Sequence, residues 1–320
     1  MSAATGYAIL FLFLFAWNAT AFGAEASDVI ARVNGQPIVA GEVRRTVDAL
    51  LKDRTVDASG RKVLEAEALE QLIDRQLVLG YLERRRLGMS RQEVRLAVER
   101  FEKRLRQQGV ELAEYMKQGG IQLKDLDRRF AWQLGWQRYL DRYLTDENLA
   151  KYFEQHRRDF DGTEVRVAHL LLKVKPDSGR EQLDATRQRA AEIRARIASG
   201  EISFEAAAEE YSQAPTAKWG GDIGFITRHH MMPAPFSEAS FAMMPGDISP
   251  PVVTSFGVHL IQCTEVKEGT KRWTDVRDQL EPACNRYLFQ WIAGREREGA
   301  KVEYTGAGPH FQPGTKELAE

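Results

Sequence analysis

Apolar residues recur at three- and four-residue steps through residues 69–144 and again between Trp273 and Arg297, with a differently patterned segment from Val165 between them. Leu69, Leu72, Ile73, Gln76 and Leu77 line one helical face, Val94, Ala97, Val98, Phe101 and Leu105 line a second, and Leu123, Leu126, Phe130 and Leu134 line a third. Each is an amphipathic helix with one buried stripe. The last stretch carries Val276, Leu280, Leu288 and Trp291 and has no neighbouring helical segment of its own to bury against. It is therefore expected to fold back onto the first helices, making one helical domain from two separated pieces with a compact insert between them. Trp132, Trp136, Tyr139 and Tyr143 exceed what a narrow stripe can bury. They read either as a core shared with other helices or as an exposed apolar cradle for unfolded chains.

A chain of 320 residues suits two domains better than one. With 43% hydrophobic and 28% charged residues it is neither a disordered tail nor a polytopic membrane protein. The net charge of −1 hides an asymmetry: residues 27–160 carry 26 Lys and Arg against 22 Asp and Glu, whereas residues 161–268 carry 11 against 15. Neither part has the basic stripe that nucleic-acid binding needs, so no nucleic-acid partner is expected. Arg84-Arg85-Arg86 reads as a solvated helix face. Two cysteines, Cys263 and Cys284, make no disulfide framework, although one bridge is open to them.

Ala8 to Trp17 is an apolar run followed by the small-residue stretch Asn18 to Ala26, the outline of a secretory signal peptide. Cleavage fits after Ala21, Gly23 or Ala26, and no Lys or Arg precedes the run. The chain is assigned a signal peptide over 1–24 and a periplasmic or extracytoplasmic location, soluble once cleaved and membrane-anchored if not. Val29–Val33, Asn34-Gly35 and Gln36–Val39 read as a hairpin, because Asn-Gly supplies the positive φ angles of a primed turn.

From Val165 the pattern changes. Val165 to Val174, with His169 in its middle, is a strand; Gln182 to Ser199 is a helix stopped by Gly200; Ser203 is the N-cap of the next. There follow a loop over Gln213 to Lys218, the Gly220-Gly221-Asp222-Ile223-Gly224 entry to a strand, a Phe236 to Phe241 segment, a Pro245-Gly246-Asp247 turn, and Ser255 to Ile261. The glycine run lacks a following Gly-Lys-Ser/Thr and is no phosphate loop. His229-His230 has no Cys or carboxylate to complete a metal set, so no metal and no cofactor is expected.

These stretches, in this order over about a hundred residues, resemble the parvulin-type peptidyl-prolyl cis/trans isomerases. The Val33 to Ile38 opening, the flanking helices and the signal peptide resemble the exported chaperones of the SurA and PrsA type. The resemblance implies an α+β fold: a helical domain over 25–160, a parvulin domain over 162–268 with a small antiparallel sheet flanked by helices, a C-terminal helix over 269–303 packed on the helical domain, and a flexible tail over 304–320. It also implies that His169, Thr254 and His259 are the catalytic group, and that Ala214, Ile223, Met232, Phe236 and Phe256 line the substrate slot. The histidines could act by holding the pocket's hydrogen-bond network rather than by moving protons.

Rotation about an X-Pro bond breaks no covalent bond. It must cross roughly 18 to 20 kcal/mol of amide resonance, and a catalyst need only favour the twisted amide over both planar forms. One position departs from the family: Ala214 stands where parvulins often carry Cys or Asp, and a methyl group can neither polarise a carbonyl nor hydrogen-bond a histidine. Gln213 is the candidate replacement. Lys175-Pro176-Asp177-Ser178-Gly179-Arg180 lacks the basic cluster of phosphate-directed parvulins. The expected function is an exported isomerase and folding chaperone acting on unfolded, proline-containing polypeptides. The alternative is a parvulin fold kept for binding, as a holdase with weak or no catalysis.

Overall fold

The computed structural model describes residues 26–320 apart from 53, 120, 176–178, 230, 231, 316 and 320. The segment expected to be a signal peptide and the centre of the Lys175–Arg180 loop lie outside the described residues. The chain divides into two compact units, one holding the residues up to Tyr143 together with Asn285–Glu320, the other Leu144–Cys284.

The first unit opens on β1 (Val29–Val33) and β2 (Gln36–Val39), an antiparallel hairpin with Val33 opposite Gln36. Asn34 and Gly35 both take positive φ, 50° and 82°, as a two-residue primed turn requires. Four helices follow closely: α1 (Ala40–Leu51), α2 (Ala58–Arg84), α3 (Arg91–Gln107) and α4 (Leu112–Gly119). Ser90 and Glu93 close a reciprocal capping box on α3, and Asp57 caps α2. The long α5 (Leu123–Tyr143) completes the N-terminal part.

The last segment of the chain extends the hairpin into a sheet. β7 (Val302–Tyr304) pairs antiparallel with β1, giving the order β2-β1-β7, so the helical unit also contains a three-stranded sheet. Ile30, Val33, Ile38, Val43, Val47, Leu69 and Ile73 form the core between that sheet, α1 and α2. The tail, expected to be flexible from residue 304, is instead hydrogen-bonded: Thr305 donates through its amide to Ile30 O at 2.9 Å, and the Ala319 amide donates to His310 O at 2.8 Å. An edge strand leaves donors and acceptors open, and the tail satisfies those of β1.

The α5 aromatics belong to the core. Trp136 and Tyr139 are buried with Val78, Leu82, Ile292 and Ala293, and the Trp136 indole donates to Asn285 Oδ1 at 3.1 Å. The cradle reading of α5 therefore fails for these two residues. Exposed large apolar side chains of this unit are instead Leu50, Val56, Val63, Leu96, Leu123, Tyr287 and Trp291.

The second unit begins with α6 (Asp146–Gln155) and α7 (Arg157–Phe160), earlier than the expected start at 162. Its sheet has the order β4-β3-β6-β5, all antiparallel: β3 (Glu164–Lys173), β4 (Asp222–Thr227), β5 (Val252–Thr254) and β6 (Gly257–Lys267). Between β3 and β4 lie α8 (Arg180–Ala198) and α9 (Phe204–Tyr211); between β4 and β5 lies α10 (Ala234–Phe241). Gly200 takes φ +76° after α8, and the Ser203 hydroxyl caps α9, both as the residue types dictate. The boundary with the first unit falls inside α11 (Arg277–Arg297). Cys263 and Cys284 are buried, unpaired thiols.

Side chains alternate across a strand, so the two faces of the sheet carry different cores. Leu170, Leu172, Val258 and Leu260 face α8 and α9, against Ala190, Ile193, Phe204 and Ala207. Val165, Val167, Ile261 and Cys263 take the other face, against Phe236 and Phe241 of α10. The odd-numbered positions 169 and 259 continue that second face. Both entry and exit strands of the sheet are tied at their root: Asp161 Oδ1 accepts from the Thr163 amide and hydroxyl, and the Gly269 amide donates to Thr163 Oγ1 at 3.0 Å.

Candidate active site

His169 and His259 stand on the two central strands. His169 pairs with Ile261 and His259 with Leu171, so the two imidazoles are diagonal neighbours on one face, within the reach of cross-strand side chains. Their Nδ1 atoms are 3.3 Å apart and the rings are nearly parallel, at 18°. Thr254, at the end of β5, brings its Oγ1 to 2.8 Å from His259 Nε2, and the Phe256 amide donates to the same hydroxyl oxygen at 3.1 Å.

These distances admit a proton relay along the three side chains. The Thr254 hydroxyl, already accepting from Phe256, donates to His259 Nε2; His259 then carries its proton on Nδ1 and donates to His169 Nδ1. His169 is left with its Nε2 proton to give. Burial lowers the pKa of both imidazoles: His169 falls below its ordinary value, and His259 drops to about 4, by burial first and by the neighbouring His169 charge second. Both rings are neutral at neutral pH, a state in which the Nδ1–H of one can donate to the Nδ1 of the other.

Beneath the pair lies Phe236. It is fully buried, and its ring edge faces both imidazoles, with centroids 5.7 Å and 5.3 Å away at near-perpendicular angles. Ile223 of β4 and Met232, just before α10, are half-buried and pack against the cluster that contains Phe236. Three of the apolar residues assigned to the slot are thus brought together beside the histidines. Phe256 is 59% exposed on the β5–β6 turn. Ala214 is buried but belongs to the loop along β3 rather than to this cluster.

That loop explains how His169 is held. β4 covers the edge of β3 only as far as Ala168. Beyond it the His169 amide donates to Gly221 O at 2.9 Å, the Leu171 amide to Ser212 Oγ at 3.1 Å, and the Gln213 amide to Leu171 O at 2.8 Å. Gln213 Oε1 accepts from the Lys173 amide at 2.6 Å. The Gln213 side-chain oxygen is therefore spent on the strand. Gly221 is required where it is: φ is +82°, and a Cβ there would stand 2.3 Å from His169 O. Periodicity gave no sign of this role, whereas the double glycine before the strand was the available signal.

Two surface cavities of this unit lie away from the histidines. One of about 460 Å³ is lined by Arg194, Met243 and Gly246 to Pro250, and one of about 290 Å³ by Arg166, Trp219, Asp222 and Thr264 among others.

Family models match two parts of the chain. A family model described as the PPIC-type PPIASE domain matches residues 169–265, and one described as a SurA-like N-terminal domain matches residues 1–139. Among curated relatives, a protein named Chaperone SurA from Bordetella parapertussis is 39% identical over 127 residues, covering 40% of this chain and 23% of that protein. Another Chaperone SurA, from Alkalilimnicola ehrlichii, is 26% identical over 265 residues, covering 78% of this chain and 59% of that protein. The chain thus spans less than two thirds of the length of these relatives. Among solved structures, PrsA from Bacillus anthracis aligns over 72% of this chain and 96% of its own at 19% identity and a TM-score of 0.36. A PpiC-type isomerase domain aligns over 35% of this chain and 98% of its own at 27% identity and a TM-score of 0.31. The chain combines a PPIC-type peptidyl-prolyl isomerase domain of the parvulin kind with a SurA-like N-terminal domain.

Proposed function

We propose that the protein is an exported peptidyl-prolyl cis/trans isomerase and folding chaperone for unfolded, proline-containing polypeptides. The observation that carries this reading is the hydrogen-bonded chain Thr254–His259–His169 laid over Phe236. His169, Thr254 and His259 form the catalytic group, and Ile223 and Met232, backed by the buried Phe236 and with Phe256 on the rim, receive the pyrrolidine ring and its neighbour.

The chemistry suits neutral imidazoles. A twisted amide loses conjugation, its nitrogen becomes pyramidal and basic, and its carbonyl becomes ketone-like. A fixed, uncharged donor at His169 and an apolar slot beneath it favour that geometry over either planar form without water's competing hydrogen bonds. Each 1.4 kcal/mol of such preference accelerates rotation about tenfold. No nucleophile takes part, so Ala214 lowers the attainable preference without abolishing the reaction. Thr254 and His259 act on the amide through His169, by fixing its tautomer and ring plane.

The export assignment rests on the Ala8–Trp17 run and the small residues after it. The chaperone part rests on the SurA-like match and on the exposed apolar side chains Leu96, Leu123, Tyr287 and Trp291. The test is the refolding of a protein whose slow phase is proline-limited, followed with and without the mature chain. The slow phase is expected to shorten in proportion to added protein, and to return to its unassisted rate with His259→Ala. An unaltered slow phase at micromolar wild-type protein contradicts the reading.

A further inference from the structure

Outside the histidine site, one charged group of the first unit is left without its complement. Arg75, on α2, is half-buried, and its guanidinium lies over the ring of Trp132 at 5.3 Å. Among the described residues it makes no hydrogen bond and no ion pair. Such an arrangement is costly for a largely desolvated guanidinium.

Its surroundings compound the imbalance. Arg129, one turn before Trp132 on α5, is close enough to disfavour the charge on Arg75, and its side chain donates only to the Tyr115 hydroxyl, at 3.4 Å. Glu42 attracts Arg75 without bonding to it, since one carboxylate oxygen accepts the Val39 amide at 3.2 Å and the other lies 4.0 Å from Arg128. Asp125 is taken by Arg128 at 3.1 Å. Burial lowers the Arg75 pKa to about 10, which leaves it charged at neutral pH.

The guanidinium also caps an aromatic stack. Trp132 stacks on Trp136 at 5.6 Å and 7°, Trp136 on Tyr139 at 5.2 Å and 10°, and Tyr139 leans on Tyr143 at 4.4 Å. Arg75 heads this aromatic column. A planar fork lying on an indole keeps its edge free for bidentate bonding, and it loses little entropy when an anion binds.

We propose that Arg75, with Arg129 beside it, is a receptor in the SurA-like domain for the carboxylate of an acidic side chain in an extended polypeptide. A carboxylate supplies the two acceptors that the fork lacks and lies between two like charges, while the half-buried Trp132 takes the apolar neighbour of the acidic residue. Arg75 and Trp132 are both half-buried, so each keeps solvent-facing surface that a passing chain can touch. The site extends the chaperone part of the proposed function and is independent of the isomerase part.

The test uses the full mature chain and three proline-free peptides of one sequence, titrated calorimetrically at low salt: a blocked peptide with one central Glu between apolar residues, its Gln twin, and the Gln twin with a free C-terminal carboxylate. The Glu peptide is expected to bind at least tenfold more tightly than its Gln twin. In Arg75→Gln, shown folded by its thermal midpoint, the two should bind within twofold of each other; Arg75→Lys should retain only part of the preference, and Arg129→Gln should weaken it several-fold. A Glu-to-Gln ratio near one in the wild type overturns the proposal, as does a tenfold ratio that survives in Arg75→Gln. A gain from the terminal carboxylate with none from Glu overturns the side-chain assignment. If Arg75→Gln does not fold, a full preference retained in both Arg75→Lys and Arg129→Gln overturns it equally. Loss of isomerase activity in the same preparations leaves these ratios unchanged.

Discussion

His259 couples fold and chemistry through its protonation. Its pKa in the unfolded chain is the ordinary 6.5, and burial with the neighbouring His169 charge holds it near 4 in the fold. Between these values the unfolded chain binds more protons, so stability rises with pH from about 4 to about 6.5 and is fully present above. The effect is on the order of 3 kcal/mol for this group. Urea midpoints at pH 4.5 and pH 7 are expected to differ accordingly, and His259→Gln should flatten the difference; a wild-type midpoint independent of pH contradicts a buried neutral pair. Gly221 offers a second test at this scale. With φ at +82° and His169 O only 2.3 Å from where a Cβ would stand, Gly221→Ala must move the strand edge that holds the histidine. A loss of more than about 2 kcal/mol in stability is expected, with activity falling further than Tm alone explains. Unchanged stability would mean that the loop gives way freely.

Elements with a clear period were legible in the sequence. The stripes beginning at Leu69, Val94 and Leu123 became α2, α3 and α5, and the Asn34-Gly35 turn, the Gly200 stop and the Ser203 cap each stand where local chemistry put them. β7 was not legible. Three residues cannot display a period, and Val302–Tyr304 is a strand only because β1 offers it an edge more than 260 residues away in the chain. The crowding of aromatics on α5 was visible, but whether they face solvent depends on α11, which no local pattern reveals. Both points make predictions. Deleting residues 300–320 strips β1 of one of its two partners and removes the 2.6 Å bond from the Tyr304 hydroxyl to Glu70; the first unit should lose roughly 2 kcal/mol or more by thermal unfolding, where a frayed tail would cost nothing. Trp136→Ala should cost about 3 to 5 kcal/mol, since it opens a large cavity and strands Asn285. A cost below about 1 kcal/mol would return Trp136 to the solvent-facing reading.

At the scale of the whole molecule the chain falls into two units whose boundaries differ from those the sequence suggested. The β-rich pattern begins at Val165, but α6, α7 and the start of α11 associate with it, because side chains such as Arg277 and Asp146, 2.6 Å apart, bridge the entry and exit of the segment. Ion pairs between distant stretches have no signature in composition. The candidate site was legible to a greater degree: the ninety residues between His169 and His259 close into a 3.3 Å contact because β3 and β6 pair in the centre of one sheet. What remained hidden was the loop from Ser212 to Ala214, whose bonds to β3 decide that Gln213 serves the strand. Two units with separate chemistry should also be separable in function. His259→Ala is expected to abolish isomerisation and leave the suppression of aggregation of an unfolded client within twofold of wild type.

The central claim is that the coupled imidazoles over Phe236 ease the twisting of a prolyl amide. Exchange between the cis and trans forms of a proline-containing tetrapeptide, measured by NMR with the mature full-length chain present, tests it most directly. The account predicts exchange at least tenfold above the thermal rate, returning to that rate in folded His259→Ala and strongly slowed in Thr254→Val. Exchange at the thermal rate in the presence of folded wild-type protein would contradict it.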